Sequence, residues 1–249
     1  MQEVWEAYMK PVDGRPAAVA FNAEVGDTPP DPELGTLGFV KVAMKSPTAE
    51  GLVSGDEADD VGFIEDRLEM EALRYRIGKY VGRVVSSGEV NFIFYLKHEF
   101  EWSDAVTIAM GHFPGYSFTC GSRPDPDWEV YRKLLSPTMH EWQMIYNHKT
   151  CDRLREAGDN LRLPRAIEHK AYFETDEARR RFVEAVEQEG FVMQKAVPPS
   201  EEVPRYGVHF YRKDVPYYYE IDSLTRHLID LGGHFGGMYD GWETSLVRI

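Results

Sequence analysis

The first third of the chain changes from strand-like to helix-like spacing of its hydrophobic residues. Apolar segments at 5–10 and 16–22 flank Asp13-Gly14, which predicts a β-hairpin. Apolar residues then recur every three or four positions over 61–80, with Glu and Arg between them, and this pattern predicts an amphipathic helix lying on a sheet. The predicted inward face of that helix consists of Ile64, Leu68, Ala72, Leu73 and Ile77.

The middle of the chain continues the mixture of strands and helices. The pattern predicts strands at 37–44, 83–87, 90–97, 116–120 and 128–134, and a helix at 102–113. Ser136-Pro137 has the sequence of a helix N-cap followed by proline at the first helical position, so a helix is predicted from there to Glu156. Its inward side is predicted to hold Met139, Trp142, Ile145 and Tyr146.

The last third has a regular order of elements. The pattern predicts a strand at 167–173, a helix at 176–188, strands at 191–197 and 207–212, a helix at 218–231 and a strand at 238–247. This order, βαββαβ, predicts two helices on one face of a four-stranded antiparallel sheet, the ferredoxin-like arrangement. The fold class is therefore predicted as α+β, with two α/β sandwich domains at 1–158 and 164–249.

Charge restricts the kinds of partner that the chain can bind. The 249 residues include 28 basic and 42 acidic side chains, which give a net charge of −14. Such an excess of negative charge repels phosphate backbones, so direct binding of nucleic acid is not expected. The negative charge suits binding of a basic protein segment instead. The alternative is that the charge only keeps the protein soluble.

Cysteine content and hydropathy bear on the compartment. Cys120 and Cys151 are the only cysteines, and two cysteines do not define a disulfide framework. The start of the chain lacks the basic and apolar stretches of a signal peptide, and no apolar run approaches the ~20 residues of a membrane span. We therefore expect a cytoplasmic protein with free thiols and no membrane association.

Familiar catalytic motifs are missing from the sequence. It contains neither a Gly-x-Ser-x-Gly nucleophile elbow nor a Gly-x4-Gly-Lys phosphate loop. His140 and His148 share a predicted helix, but they lack the spacing of four that helical metal ligands use. No metal and no cofactor are expected.

Two histidines form a candidate polar site. His169 and His209 lie on the first and third strands of the predicted βαββαβ unit, which are neighbours in that arrangement. With Glu168 close by, such a pair can titrate near neutral pH. The alternative is two half-exposed strand histidines, each with its own hydrogen-bond partner.

Aromatic residues near the end of the chain form a candidate partner-binding surface. It is predicted to comprise Tyr217, Tyr218, Tyr239, Asp240 and Trp242. Aromatic residues are enriched at binding hot spots, but packing between the last helix and the last strand will claim about half of these rings. Gly241, inside the last strand, predicts either a β-bulge or the close approach of another backbone.

Particular motifs in both halves resemble known families. The C-terminal part resembles the regulator of ribonuclease E activity B family through Arg165-Ala166-Ile167-Glu168-His169, Tyr172-Phe173, Gly190-Phe191, Gly207-Val208 and the run from Gly236 to Thr244. The N-terminal part is similar to domain-of-unknown-function family 695 through Trp5-Glu6-Ala7-Tyr8, Asn91-Phe92-Ile93-Phe94-Tyr95 and the tail from Glu141-Trp142 through Gly158-Asp159. The first resemblance implies a ferredoxin-like domain that binds another protein, since members inhibit an RNA-degrading endonuclease without cutting RNA themselves.

These observations support three hypotheses of different classes. The first is a non-catalytic cytoplasmic regulator that binds a protein partner, either a ribonuclease or another protein with a basic segment. The second is an enzyme or small-molecule binder with a site between the two domains near His169, His209 and Asp240. The third is a structural dimerisation module, and the sequence leaves the oligomeric state open.

Overall fold

A computed structural model describes residues 4–26 and 31–248. The chain divides into two compact units, Met1–Glu141 and Trp142–Ile249, called unit 1 and unit 2 below. Both combine an antiparallel sheet with helices, which confirms the predicted α+β class. The units are described separately.

Unit 1 is built on a six-stranded sheet with the order β1-β2-β4-β5-β3-β6, in which all neighbours are antiparallel. Its strands and helices are β1 (Trp5–Val12), β2 (Arg15–Asn22), β3 (Thr36–Ala43), α1 (Ala58–Arg74), β4 (Gly78–Ser86), β5 (Glu89–Leu96), α2 (Trp102–Met110) and β6 (Phe118–Pro124). The predicted hairpin is present, because Asp13 and Gly14 take φ values of 51° and 75° and form a two-residue turn between β1 and β2.

Helices α1 and α2 pack against one face of this sheet. Ile64, Leu68 and Ala72 of α1 are buried as predicted, and they join strand residues in one hydrophobic cluster. Leu73 is not buried as predicted, because it lies on the outer side of α1 and is 62% exposed. Ile77 is buried, but it lies beyond the end of the helix at Arg74.

The segment 128–134 is not the strand that the sequence predicts. Residues Tyr131–Leu135 form a π-helical turn, and Trp128, just before it, stacks on Tyr95 of β5 with ring centroids 4.0 Å apart. Asp125 starts this helical segment, because its carboxylate accepts hydrogen bonds from the backbone N–H groups of Glu129 at 2.8 Å and Val130 at 3.0 Å. A side-chain cap thus overrides the strand preference of bulky apolar residues.

Helix α3 (Met139–Glu156) begins later than predicted. Thr138 and Glu141 form a capping box, in which each backbone N–H donates to the other side chain at 2.7 and 3.3 Å. The predicted inward face is also corrected, since Met139 and Tyr146 are 59% and 54% exposed while Ile145 is buried.

Unit 2 has a four-stranded antiparallel sheet with the order β10-β7-β9-β8. Its elements are most of α3, then β7 (Arg165–Phe173), α4 (Asp176–Gln188), β8 (Val192–Val197), β9 (Tyr206–Asp214), α5 (Tyr218–His234) and β10 (Gly237–Thr244). From β7 onward this is the predicted order βαββαβ. Helices α4 and α5 pack on the same face, because Phe182 and Leu228 share one cluster with Phe173 and Phe210 of the sheet.

Helix α3 belongs to unit 2 by its contacts, although the sequence assigned it to a domain ending at residue 158. Cys151 of α3 is fully buried in a cluster with Leu161, Ile167 of β7 and Ile221 of α5. The division between the compact units accordingly falls before Trp142 rather than at 159–163. An independent domain at 164–249 stays a prediction.

These contacts predict how unit 2 responds to truncation. A fragment of residues 142–249 is expected to unfold cooperatively in urea. A fragment of residues 164–249 exposes Ile167 and Ile221 and should lose on the order of several kcal/mol of unfolding free energy. Circular dichroism during urea titration measures both, and equal midpoints for the two fragments would show that α3 does not stabilise the sheet.

Candidate functional site

The candidate residues cluster around β10, which contains a bulge. Its pairing with β7 shifts register between Tyr239, which faces Ala171, and Trp242, which faces His169. Gly241 has a φ of 101°, a conformation that favours glycine. Residues three apart in a regular strand point to opposite faces, so the extra residue brings both Tyr239 and Trp242 to the side covered by α5. The predicted bulge is thus confirmed, and it sets the direction of both rings.

Tyr239 lies in the core of unit 2. It is 7% exposed, and its hydroxyl lies 2.8 Å from Nδ1 of His169. Burial raises the pKa of Tyr239 well above its ordinary value, with Asp240 adding to the effect. The structure therefore does not present this ring to a partner, contrary to the role predicted from the sequence.

His169 and His209 are not brought together. His169 pairs with Phe210 across the β7–β9 ladder while His209 pairs with Lys170, so the two histidines lie on opposite faces of the sheet. His169 is fully buried, stacks on Phe210 with ring centroids 5.5 Å apart, and leaves its Nε2 without a hydrogen-bond partner. Burial, with a smaller contribution from Arg212, lowers the pKa of His169 to about 3. The predicted two-histidine site is therefore absent.

Trp242 takes part in a polar cluster centred on Asn147, which sequence reasoning missed. The side-chain oxygen of Asn147 accepts hydrogen bonds from Trp242 Nε1 at 2.7 Å and Gln143 Nε2 at 2.9 Å. Its amide nitrogen donates to Asp222 Oδ1 at 2.9 Å and Thr225 Oγ1 at 2.8 Å. The amide thus uses all four of its hydrogen-bonding positions and joins α3, α5 and β10.

His148 adds a titratable group at the edge of this cluster. Its Nε2 lies 2.8 Å from Asp222 Oδ2, and its side chain is 43% exposed. The hydrogen bond to Asp222 raises the pKa of His148 above its ordinary value, although partial burial opposes the shift. The raised pKa favours a protonated imidazole beside the Asp222 carboxylate, and this proton is the clearest chemical capacity of the cluster.

Tyr217 and Tyr218 are half-buried and already have partners within unit 2. The hydroxyl of Tyr218 donates to Asp152 Oδ1 at 2.6 Å, and burial together with this bond raises its pKa to about 12. The guanidinium of Arg162 lies 4.0 Å from the ring centroid of Tyr217. Among the predicted partner-binding residues, only Asp240 is exposed.

Unit 1 carries a cleft of about 280 Å³ beside Asp125. Burial alone would raise the pKa of Asp125, but the hydrogen bonds from the Tyr95 hydroxyl and the backbone of residues 129 and 130 outweigh it and lower the pKa. Glu129 and Lys133, which also line the cleft, form an ion pair at 3.1 Å. The polar groups of this cleft therefore maintain the local fold.

The described ranges 4–26 and 31–248 contain neither a metal-binding cluster nor a membrane-spanning helix. Within them, no three His, Cys, Asp or Glu side chains are grouped so as to hold a metal ion. In the same ranges, no helix combines the length and apolar character needed to cross a membrane.

Fold and site together define a class of protein: two α+β units, the second of which joins α3, α5 and β10 through a polar cluster centred on Asn147. The chain belongs to the family of unknown function DUF695, whose model matches residues 3–136, more than half of its length. Residues 144–244 match the model of regulator of ribonuclease activity B. The two resemblances identified from sequence motifs are thereby confirmed in the order predicted.

Other comparisons add little. Comparison with curated proteins finds no match. A crystal structure of an unknown protein from Galdieria sulphuraria is 10% identical, covers 85% of this chain and 99% of its own, and has a TM-score of 0.22. A putative glycine cleavage system transcriptional repressor is 8% identical, covers 85% and 98%, and has a TM-score of 0.23. At such scores neither similarity supports an inference.

The buried imidazole predicts sensitivity to acid. The unfolded chain protonates His169 near its ordinary pKa, whereas the folded protein does so only near pH 3, so stability is lost as pH falls below about 6.5. Between about pH 7 and pH 5 the loss should be roughly 2 kcal/mol, at about 1.4 kcal/mol per pH unit. His169→Gln should flatten this dependence in urea titrations while the exposed control His234→Gln does not, and identical profiles for all three proteins would refute the assignment.

The Asn147 cluster predicts a large effect from a single side chain. Asn147→Leu removes a partner of the half-buried Trp242 Nε1 and Asp222 Oδ1 and of the buried Thr225 Oγ1, so we expect a loss of roughly 2–4 kcal/mol of unfolding free energy. Gln143→Leu removes only one bond to the same amide and should cost less than about 1 kcal/mol. Urea midpoints measure both variants, and comparable losses would argue against Asn147 as the centre of the cluster.

Proposed function

We propose that this chain is a non-catalytic cytoplasmic regulator whose second unit binds a protein partner, and that the partner is an RNA-degrading endonuclease. The observation that carries the proposal is the match of residues 144–244 to regulator of ribonuclease activity B, which spans nearly all of unit 2 from α3 to β10. The free thiols of Cys120 and Cys151 accord with a reducing compartment.

The outer edge of β10 is the proposed docking surface. β10 is a terminal strand of its sheet and pairs only with β7 among the described strands. Along it, Met238 is 43% exposed, the Glu243 side chain is 59% exposed and Asp240 is also exposed. An extended segment of a partner can add to such an edge through its backbone, and basic side chains in that segment would complement the two carboxylates.

The alternative of an enzyme or small-molecule site near His169, His209 and Asp240 has lost its geometric basis. His169 is enclosed in the core, while His209 lies on the opposite face of the sheet. No observation on the described residues favours it over the regulator. A dimerisation module is likewise unsupported by any specific contact.

The test is recovery of a partner by the full chain. Immobilised wild-type protein is expected to retain an endonuclease from a lysate of its native cell, identified by mass spectrometry. Asp240→Lys combined with Glu243→Lys should reduce recovery about tenfold, since like charges then oppose a basic segment. Glu184→Lys, an exposed reversal on α4, serves as the control and should bind normally. Failure to retain any specific protein, or equal recovery by all variants, would reject the proposal.

A further inference from the structure

The sheet of unit 2 has one face that neither α4 nor α5 covers. The alternation along the strands places Ala171, Phe173 and Phe210 toward the helices, and their neighbours on the opposite side. We call this opposite side the open face. Its residues include Glu168, Lys170, Tyr172, Lys195, Val197, Gly207, His209, Tyr211 and Lys213.

The two central strands each place a tyrosine on the open face. Tyr172 of β7 pairs with Gly207 of β9, and a Cβ at Gly207 would lie only 2.9 Å from Cε1 of Tyr172 and 3.0 Å from Cβ of Val197. The ring of Tyr172 therefore lies over Gly207, a position that only glycine leaves open. Tyr211 lies on β9 four residues after Gly207, which is about 14 Å along the strand at ~3.4 Å per residue. Both rings are half-buried, so part of each meets solvent.

A row of basic side chains crosses the sheet between the two tyrosines. His209 pairs directly with Lys170 of β7 on one side and with Lys195 of β8 on the other. Partial burial lowers the pKa of His209, and the positive charges of both lysines lower it further. Lys195 is exposed, and within the described ranges its ammonium has no ion-pair partner. Glu243 and Glu168 oppose this shift of the His209 pKa. The row therefore offers the two ammonium groups of Lys170 and Lys195, on either side of the imidazole, to a bound anion.

We propose that the open face of unit 2 binds single-stranded RNA, with bases stacked on Tyr172 and Tyr211 and phosphates over Lys170, His209 and Lys195. Aromatic side chains on the strands of a four-stranded sheet are a known way to hold unpaired bases, and stacking tolerates any sequence. Paired bases are already stacked in a duplex and cannot cover the two rings, so single strands are selected.

The net charge of −14 does not oppose this locally. It sums the whole chain, whereas a phosphate on the open face meets Lys170, Lys195 and Lys213 at close range. Glu243 already pairs with Lys170 at 3.3 Å, which moderates the positive potential. Binding should therefore be weak and strongly dependent on salt. The open face adjoins the outer edge of β10 at the ion pair between Lys170 and Glu243, so RNA and a protein partner would use neighbouring surfaces of one sheet.

Fluorescence anisotropy of a fluorescein-labelled oligouridylate of about 12 nucleotides, titrated with the full chain at about 50 mM salt, tests the proposal. Tyr172→Leu and Tyr211→Leu should each weaken binding about tenfold through lost stacking. Lys195→Glu should weaken it and reduce the steepness of the salt dependence by about 0.7 in log–log slope. Tyr219→Leu and Arg226→Glu make the same changes at exposed positions of α5 and should bind as the wild type does.

The outcomes separate this proposal from its rivals. Saturable wild-type binding that the open-face variants lose and the α5 variants keep would support it, as would poor competition by duplex RNA of the same length. Absence of wild-type binding, or equal binding by all variants, would overturn it. Loss of the protein partner by Tyr211→Leu, without RNA binding by the wild type, would assign the face to that partner instead and also overturn it. Lys195 is exposed, so its variant tests the idea even if a tyrosine variant misfolds.

Discussion

The bulge at Asp240 and Gly241 is the constraint on which the arrangement of unit 2 depends. A regular strand would point Tyr239 and Trp242 to opposite faces, whereas one extra residue points both toward α5. Tyr239 then bonds to His169 in the core, and Trp242 reaches the amide of Asn147 on α3. The last strand is thereby held both to the sheet and to helix α3.

This arrangement separates the surfaces of unit 2 by function. The helix-covered face is filled by aromatic side chains and by His169, whose pKa is lowered by burial. The outer edge of β10 is acidic through Asp240 and Glu243. The open face is mixed in charge, since Lys170, Lys195, Glu168 and Glu243 all act on His209. Under the two proposals made above, these surfaces would contact a protein partner and RNA, while the core holds them in place.

Sequence patterns were reliable wherever one local rule acted without competition. Helix α4 has the predicted bounds because Thr175 caps it and its apolar stripe is continuous, and the hairpin at Asp13-Gly14 follows from its turn residues. The strand prediction for 128–134 was wrong because Asp125, a residue outside the segment, caps a helical turn. Apolar composition alone cannot indicate such a turn. The predicted inward face of α3 was wrong because a polar residue, Asn147, is buried there while the neighbouring Tyr146 is exposed.

The sequence by itself determined the order of elements from β7 to β10, the α+β class and the two family resemblances, and it indicated the bulge at Gly241 as one of two alternatives, because each depends on local spacing or on a contiguous motif. Only the tertiary structure decided which side chains meet. His169 and His209 lie on adjacent strands but face opposite ways, since strand register sets the face and register depends on contacts far apart in the chain. The same physical reason places Tyr172 and Tyr211 on one open face, while Tyr239, one of the five residues predicted to bind a partner, is enclosed in the core.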